Sequence, residues 1–257
     1  MECLGIIDRV VACTRHCAAV APNMSQDVCI VEDSWTAKTT EISAAKPDLV
    51  IASVPYQVEA IAQILAAGIR VLALSPRTLA DIYGDITGIS NIMGVSERGA
   101  ELIRSMRQKV DEVRARLRGE RSRRVFCEEW GKPIMTSQPW VAEIVEAAGG
   151  QFVGHPGTTV SPESVREADP EVIVFAWCGA GDRVPMEKVV SQRNWQEVAA
   201  VKTGDTFVIR DEFLTTPGPP LMTGLLALAH ALHPGVFPTP PTFGETNVMR
   251  RLGEPVI

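Results

Sequence analysis

The chain lacks most of what catalysis, metal capture or membrane insertion requires. No apolar run approaches the ~20 residues that cross a bilayer, so no membrane span is expected. The six cysteines form no CxxC pair, which removes the common zinc and redox spacings. There is no P-loop and no G-x-S-x-G elbow. Gly179-Ala180-Gly181 follows a strand-like run, yet Val184 stands where a dinucleotide fingerprint needs its third glycine and Pro185 interrupts any helix. His16, His155, His230 and His233 show no pairing at metal-ligand spacing. An excess of acid over base, 31 against 25, gives a net charge of -6, which argues against a nucleic-acid partner.

What is present is the composition of a folded soluble protein: 257 residues, 46% hydrophobic and 22% charged, enough for one large or two small cores. Val10-Val11-Ala12-Cys13 fits a loose lipoprotein box, but Asp8 and Arg9 stand where an apolar segment should precede it. The stretch is read as a strand and the chain as given as carrying no signal peptide. Cys3, Cys13, Cys17 and Cys29 crowd the first thirty residues. A Cys13/His16/Cys17/Cys29 metal cluster stands as one reading and small buried cysteines in strands as the other.

The pattern alternates strand and helix. Residues 9–14, 48–53 and 69–75 read as strands of a parallel sheet, and 55–68 as the helix of a βαβ unit. From Ser96 onward Ile103, Met106, Val110, Val113 and Leu117 recur at helical spacing until Gly119. A rod of about 33 Å follows, too long for a crossover and suited to a brace between two lobes. Six arginines near its end (114, 116, 118, 121, 123, 124) read as a solvated face or a docking surface for an acidic partner. A second α/β lobe then runs through strands 124–129, 172–177 and 205–210 and helices 138–148, one starting near Ser161, and 218–232. The predicted organisation is an N-terminal lobe 1–95, a bridging helix 96–119, a C-terminal lobe 120–234 and an extended proline-rich tail 235–257 that wraps the surface or stays mobile.

Aromatic side chains gather where strands end. Trp130, Trp140 and Trp177 sit at strand–loop or loop–helix junctions of the second lobe, with Phe213 in a proline-rich loop and Trp35 in a loop of the first lobe. Ligands bind at the carboxyl ends of strands in open α/β sheets, so these residues predict a wall for a flat, bulky ligand. Trp195 reads as core. Glu128 and Glu129 alternate in direction along a strand, so at most one faces a cleft. The chain reads as a binder rather than an enzyme.

The phrases "DRVVACTRHC" (8–17), "AAKPDLVIAS" (44–53), "GIRVLALSPRTLADI" (68–82), "VFCEEWGKPIMTSQPWVAEIVEAAGG" (125–150), "ADPEVIVFAWCG" (168–179) and "GPPLMTGLLALAHALHP" (218–234) resemble the cobalamin-binding branch of class III periplasmic-binding-protein-like solute-binding proteins. The resemblance implies two α/β lobes bridged by one long helix, the family's first strand missing from this chain, and a ligand held between the lobes. It implies a corrinoid ligand, cobalamin or cobinamide, with no further cofactor and no catalysis. The positions it assigns to the ligand are His16, Cys17, Ser53, Tyr56, Ser75, Pro76, Trp130, Trp140, Trp177, Cys178 and Phe213; the reading of the residues themselves adds Trp35 and Glu129 as candidate contacts. It also implies an ABC transporter permease as partner and a periplasmic or cell-surface location, cytoplasmic if the chain starts where it is given. Glu59 is an acidic candidate for docking, and the last helix offers no counterpart. A ferric-siderophore or haem carrier on the same fold is an alternative that two tyrosines support poorly. An enzyme or metal-handling protein using Cys13, His16, Cys17 and Glu129 is another, and a cytosolic corrinoid-sensing or storage relative without a transporter is a further one.

Overall fold

The computed structural model describes residues 1–21, 23–32, 38–53 and 58–255. The chain folds as two compact units, Met1–Pro76 with Ala80–Ile103, and Arg77–Leu79 with Arg104–Ile257. The division at Ile103/Arg104 falls inside the long helix.

In the first unit β1 (Ala12–Thr14) leads into the short α1 (Arg15–Ala19) and pairs in parallel with β2 (Cys29–Val31). After α2 (Thr39–Ala44), β3 (Leu49–Ser53) is joined through α3 (Val58–Ala66) to β4 (Arg70–Leu74). The two strands pair in parallel from Leu49↔Arg70 to Ser53↔Leu74. Parallel neighbours need a crossover of this kind, and the predicted βαβ unit is present. A helix absent from the sequence reading follows, α4 (Leu79–Ile92), and then α5 (Ser96–Arg116). Arg98 donates to the carbonyls of Leu4 and Gly5, which ties the N-terminal turn to the start of α5.

The 21-residue α5 carries the chain from one unit into the other. Met106, Val110, Val113 and Leu117 are its buried stripe, at the spacing the sequence showed. Of the six arginines only Arg123 is half-buried; the other five are exposed, as a solvated face requires, and several also hold partners. Arg116 stacks on Phe237 at 3.8 Å, Arg121 pairs with Glu171, and Arg123 pairs with Asp205. They fasten the end of the helix to the second unit.

That unit is built on β5 (Arg123–Gly131), β6 (Ile134–Thr136), α6 (Pro139–Ala147), β7 (Gly150–Phe152), α7 (Pro162–Ala168), β8 (Val172–Phe175), α8 (Met186–Gln192), α9 (Ala199–Lys202), β9 (Thr206–Ile209) and α10 (Leu221–Leu232), closed by β10 (Thr242–Phe243), β11 (Thr246–Asn247) and β12 (Met249–Arg251). The sheet order is β12-β9-β8-β5-β6, with β7 also on β5. Strands β7, β5, β8 and β9 run parallel, while β6 and β12 are antiparallel. Every residue of β8 and β9 is buried, as parallel strands covered on both faces require. On one face Phe126, Phe175, Met186, Val189 and Trp195 pack together. The Trp195 indole N–H donates to the Pro162 carbonyl, and Trp195 is core as read.

The tail departs from expectation. Residues 242–251 form a hairpin and an edge strand on β9, with Val248 fully buried and Arg250 5% exposed. Arg250 donates to the carbonyls of Asp182 and Val184, so the segment is part of the sheet rather than a wrapping.

Candidate functional site

The chain goes from β5 to β7 on one side and then returns to β8 on the other side of β5. The carboxyl ends of β5 and β8 therefore flank a topological switch point, where open α/β sheets leave a crevice. Three connections leave from this end: residues 132–133 after β5, 176–185 after β8 and 210–220 after β9.

The β5 end is irregular. Its register against β6 shifts between Glu128 and Trp130, a β-bulge. A bulge turns side chains out of simple alternation, and here Trp130 emerges 41% exposed while Glu128 and Glu129 are both buried. The Trp130 indole N–H folds back to the Lys132 carbonyl at 3.1 Å.

Glu128 and Glu129 serve separate partners. Glu128 takes a two-point contact from Arg193, at 2.6 and 2.8 Å, and the Trp177 indole N–H at 2.8 Å. Glu129 accepts the Gln138 backbone N–H at 3.2 Å and its side-chain amide at 3.0 Å, with the Cys178 thiol 3.9 Å away. Burial pushes both carboxyls above their ordinary range. The Arg193 guanidinium opposes this at Glu128, and the Gln138 hydrogen bonds oppose it at Glu129.

The β8 loop is fastened at many points. Asp211 accepts the backbone N–H groups of Gly179 and Gly181, each at 2.8 Å, and the Cys178 N–H donates to the Glu129 carbonyl. Burial pushes the Cys178 thiol up to about 12, with Glu129 and Asp211 adding to the shift. At neutral pH it is a thiol, a poor nucleophile and a poor ligand for metals.

The structure divides the aromatic residues of the expected wall between strand ends and interior. Trp130 and the half-buried Trp177 stand at the open strand ends with Cys178 beside them. Trp140 and Phe213 are interior, at 3% and 2% exposure. The Trp140 N–H donates to the Leu214 carbonyl at 2.9 Å, and Phe213 packs on Phe243. Both were expected to face the ligand; both instead fill the space between α6, α10 and the β9 loop. Glu129 is also corrected: it is 7% exposed and both its oxygens are engaged.

In the first unit Ser53 ends β3, and Ser75 and Pro76 directly follow its partner β4, so these three share one end of the pair. Ser75 is exposed and Pro76 buried. His16 and Cys17 are exposed in the first turn of α1, which Thr14 caps through the Cys17 N–H. Trp35 and Tyr56 lie outside the described residues. Among the described residues no group of three or more His, Cys, Asp or Glu is arranged to hold a metal ion. This counts against the Cys13/His16/Cys17/Cys29 reading.

Two residues of the site escaped the sequence reading. Arg193 lies 62 residues beyond Gly131, whose carbonyl it also bonds, and nothing local in the sequence links them. Asp211 was visible as the first residue after a strand, a position that often aims a polar group into a strand-end loop.

A family profile described as periplasmic binding protein matches residues 2–213. The chain is 24% identical to an ABC transporter substrate-binding lipoprotein of Bacillus subtilis, over 91% of this chain and 76% of that protein. It is 24% identical to a vitamin B12-binding protein of Vibrio cholerae, over 84% of this chain and 78% of that protein. Its fold is similar to the crystal structure of a periplasmic haem-binding protein from Pseudomonas aeruginosa, with a TM-score of 0.80, 19% identity, and coverage of 97% of this chain and 92% of that one.

Proposed function

The chain belongs to the periplasmic binding protein family, and from that premise we propose that it binds a corrinoid, cobalamin or cobinamide, without transforming it. It would serve as the solute-binding component of an ABC importer, outside the cytoplasm, with a permease as partner. The family consists of solute binders rather than enzymes, and the site offers nothing primed for chemistry. Its buried carboxylates are saturated by partners and its thiol is protonated.

The observation that carries this reading is Trp130. An indole 41% exposed at the carboxyl end of a sheet's central strand, beside a bulge and a switch point, is costly to leave in water and suited to a flat apolar surface. Covering a few hundred Å² of such surface at about 25 cal/mol per Å² gives ample drive, less the cost of ordering. The vitamin B12-binding relative supports the same ligand class. Trp177 and Cys178 are the further contacts proposed on the second unit, Ser53, Ser75, Pro76, His16 and Cys17 are the candidates on the first taken by itself, and no additional cofactor is required.

The test is the visible spectrum of protein incubated with cyanocobalamin and then desalted. Retained corrin absorbance at one equivalent supports the reading, and a colourless protein sinks it. Haem is the second ligand to try, because a haem binder shares the fold at a TM-score of 0.80. Retention of a Soret band in place of corrin colour would move the assignment there.

A further inference from the structure

We propose that the buried Glu128–Arg193 ion pair is a positioning device for Trp177, holding that indole rigid as one face of the ligand site. Three contacts converge on the ring. Its N–H donates to Glu128 at 2.8 Å. The Arg193 guanidinium lies 5.9 Å from its centroid and 4.8 Å from that of Trp195, so the cation is held between two indoles. Beneath it is Gly131, where a Cβ would come within 2.5 Å of Trp177 Cζ2 and 2.7 Å of Cη2. The indole lies on bare backbone at the end of β5, and only glycine leaves room for it.

Stability alone does not explain such a pair. Well-packed apolar residues in place of a buried ion pair are often neutral or stabilising. Glu128 is fully buried, and Arg193 spends a third contact on the Gly131 carbonyl at 3.1 Å. What the pair supplies is direction. Two parallel N–H···O bonds set the carboxylate plane, and that plane sets where the indole N–H must point. Trp177 is thereby fixed next to the exposed Trp130, through their common neighbour Gly131.

The binding arm of the test rests on the corrinoid reading; the spectroscopic arm does not. Protein labelled with 5-fluorotryptophan gives a Trp177 19F resonance, assigned by loss in Trp177→Phe. Two variants are compared with wild type: Arg193→Lys, which keeps the charge and loses the fork, and the double Glu128→Leu/Arg193→Met, which replaces the pair by apolar groups. Thermal melts show which variants are folded, and either one suffices. In a folded variant the Trp177 line should shift or broaden with no ligand present. Cyanocobalamin affinity should fall roughly tenfold, but by less than about twofold when the same substitution is made in a Trp177→Ala background, the non-additivity of coupled residues. A Trp177 line identical to wild type in a folded variant overturns the proposal, as does an equal loss of affinity in both backgrounds. A displaced line in protein that never binds cyanocobalamin upholds the positioning role and overturns the corrinoid reading.

Discussion

Phe243 packs against Phe213, ring centroids 5.3 Å apart and planes inclined by 58°. The first belongs to the C-terminal hairpin, the second to the loop after β9, so the hairpin supports a loop of the candidate site from behind. Phe243 is only half-buried, so Phe243→Ala should cost about 1–2 kcal/mol, less than a fully buried phenyl. Truncation after residue 238 should cost more, since it also removes β12, the buried Val248 and the Arg250 contacts. Urea denaturation measures both. An unchanged midpoint in the truncated chain would mean that the hairpin adds nothing to the sheet.

Thiol reactivity should separate the cysteines by place. Cys3, Cys17 and Cys29 are exposed, whereas Cys127 is fully buried. With its thiol pushed up to about 12, Cys178 is a thiolate in roughly one molecule in 10,000 at pH 8. Iodoacetamide followed by peptide mass spectrometry should find the exposed three modified first and Cys178 far behind. Cys127 should react only in denaturant. Early labelling of Cys178 would contradict the enclosed position given to it beside Glu129.

The two α/β repeats and the long helix were legible because buried parallel strands are unbroken apolar runs and a packed helix keeps a strict apolar period. Strand 172–177 and the stripe Met106, Val110, Val113 and Leu117 are examples. Helix α4 went unread although Leu79, Ile82 and Ile86 are buried at spacings of three and four, because the glycines and polar residues of LADIYGDITGISNI masked that stripe. The wall was legible in position but not in direction. A tryptophan at a strand end can turn either way, and the bulge that turns Trp130 outward depends on pairing with β6. Trp140 could have been placed correctly. It shares the α6 face of Ile144 and Ala148, all buried, and that spacing of four marks a core stripe.

Acid should favour the native state through Glu129. Burial is the main cause of its raised pKa, with Asp211 adding and the Gln138 and Cys178 contacts opposing. Between the ordinary value of 4.5 and the raised one, the folded chain keeps a proton that the unfolded chain has released. Stability from this group is therefore fully present below 4.5 and is lost as pH rises through the folded value. Melting temperatures from about pH 4 to about pH 8 should fall less in Glu129→Gln than in wild type. Glu128 shifts in the same direction, so part of the slope persists. An identical slope in both proteins would place Glu129 in contact with water.

The two tryptophans at 130 and 140 should respond in opposite ways, and this contrast tests the corrected wall most directly. Trp130 offers an exposed ring and bonds only its own loop. Trp130→Ala should leave stability within about 0.5 kcal/mol, while cyanocobalamin affinity drops roughly tenfold through loss of a stacking surface. Trp140→Phe keeps most of the buried volume but strands the Leu214 carbonyl, which is itself in the interior. It should cost about 1–3 kcal/mol of stability and leave the affinity of the folded protein unchanged. Isothermal titration paired with thermal melts reads both quantities on each variant. Were Trp140→Phe the one to lose ligand at full stability, the binding surface would lie over α6, and the strand-end face holding Trp130 and Trp177 would be the wrong one.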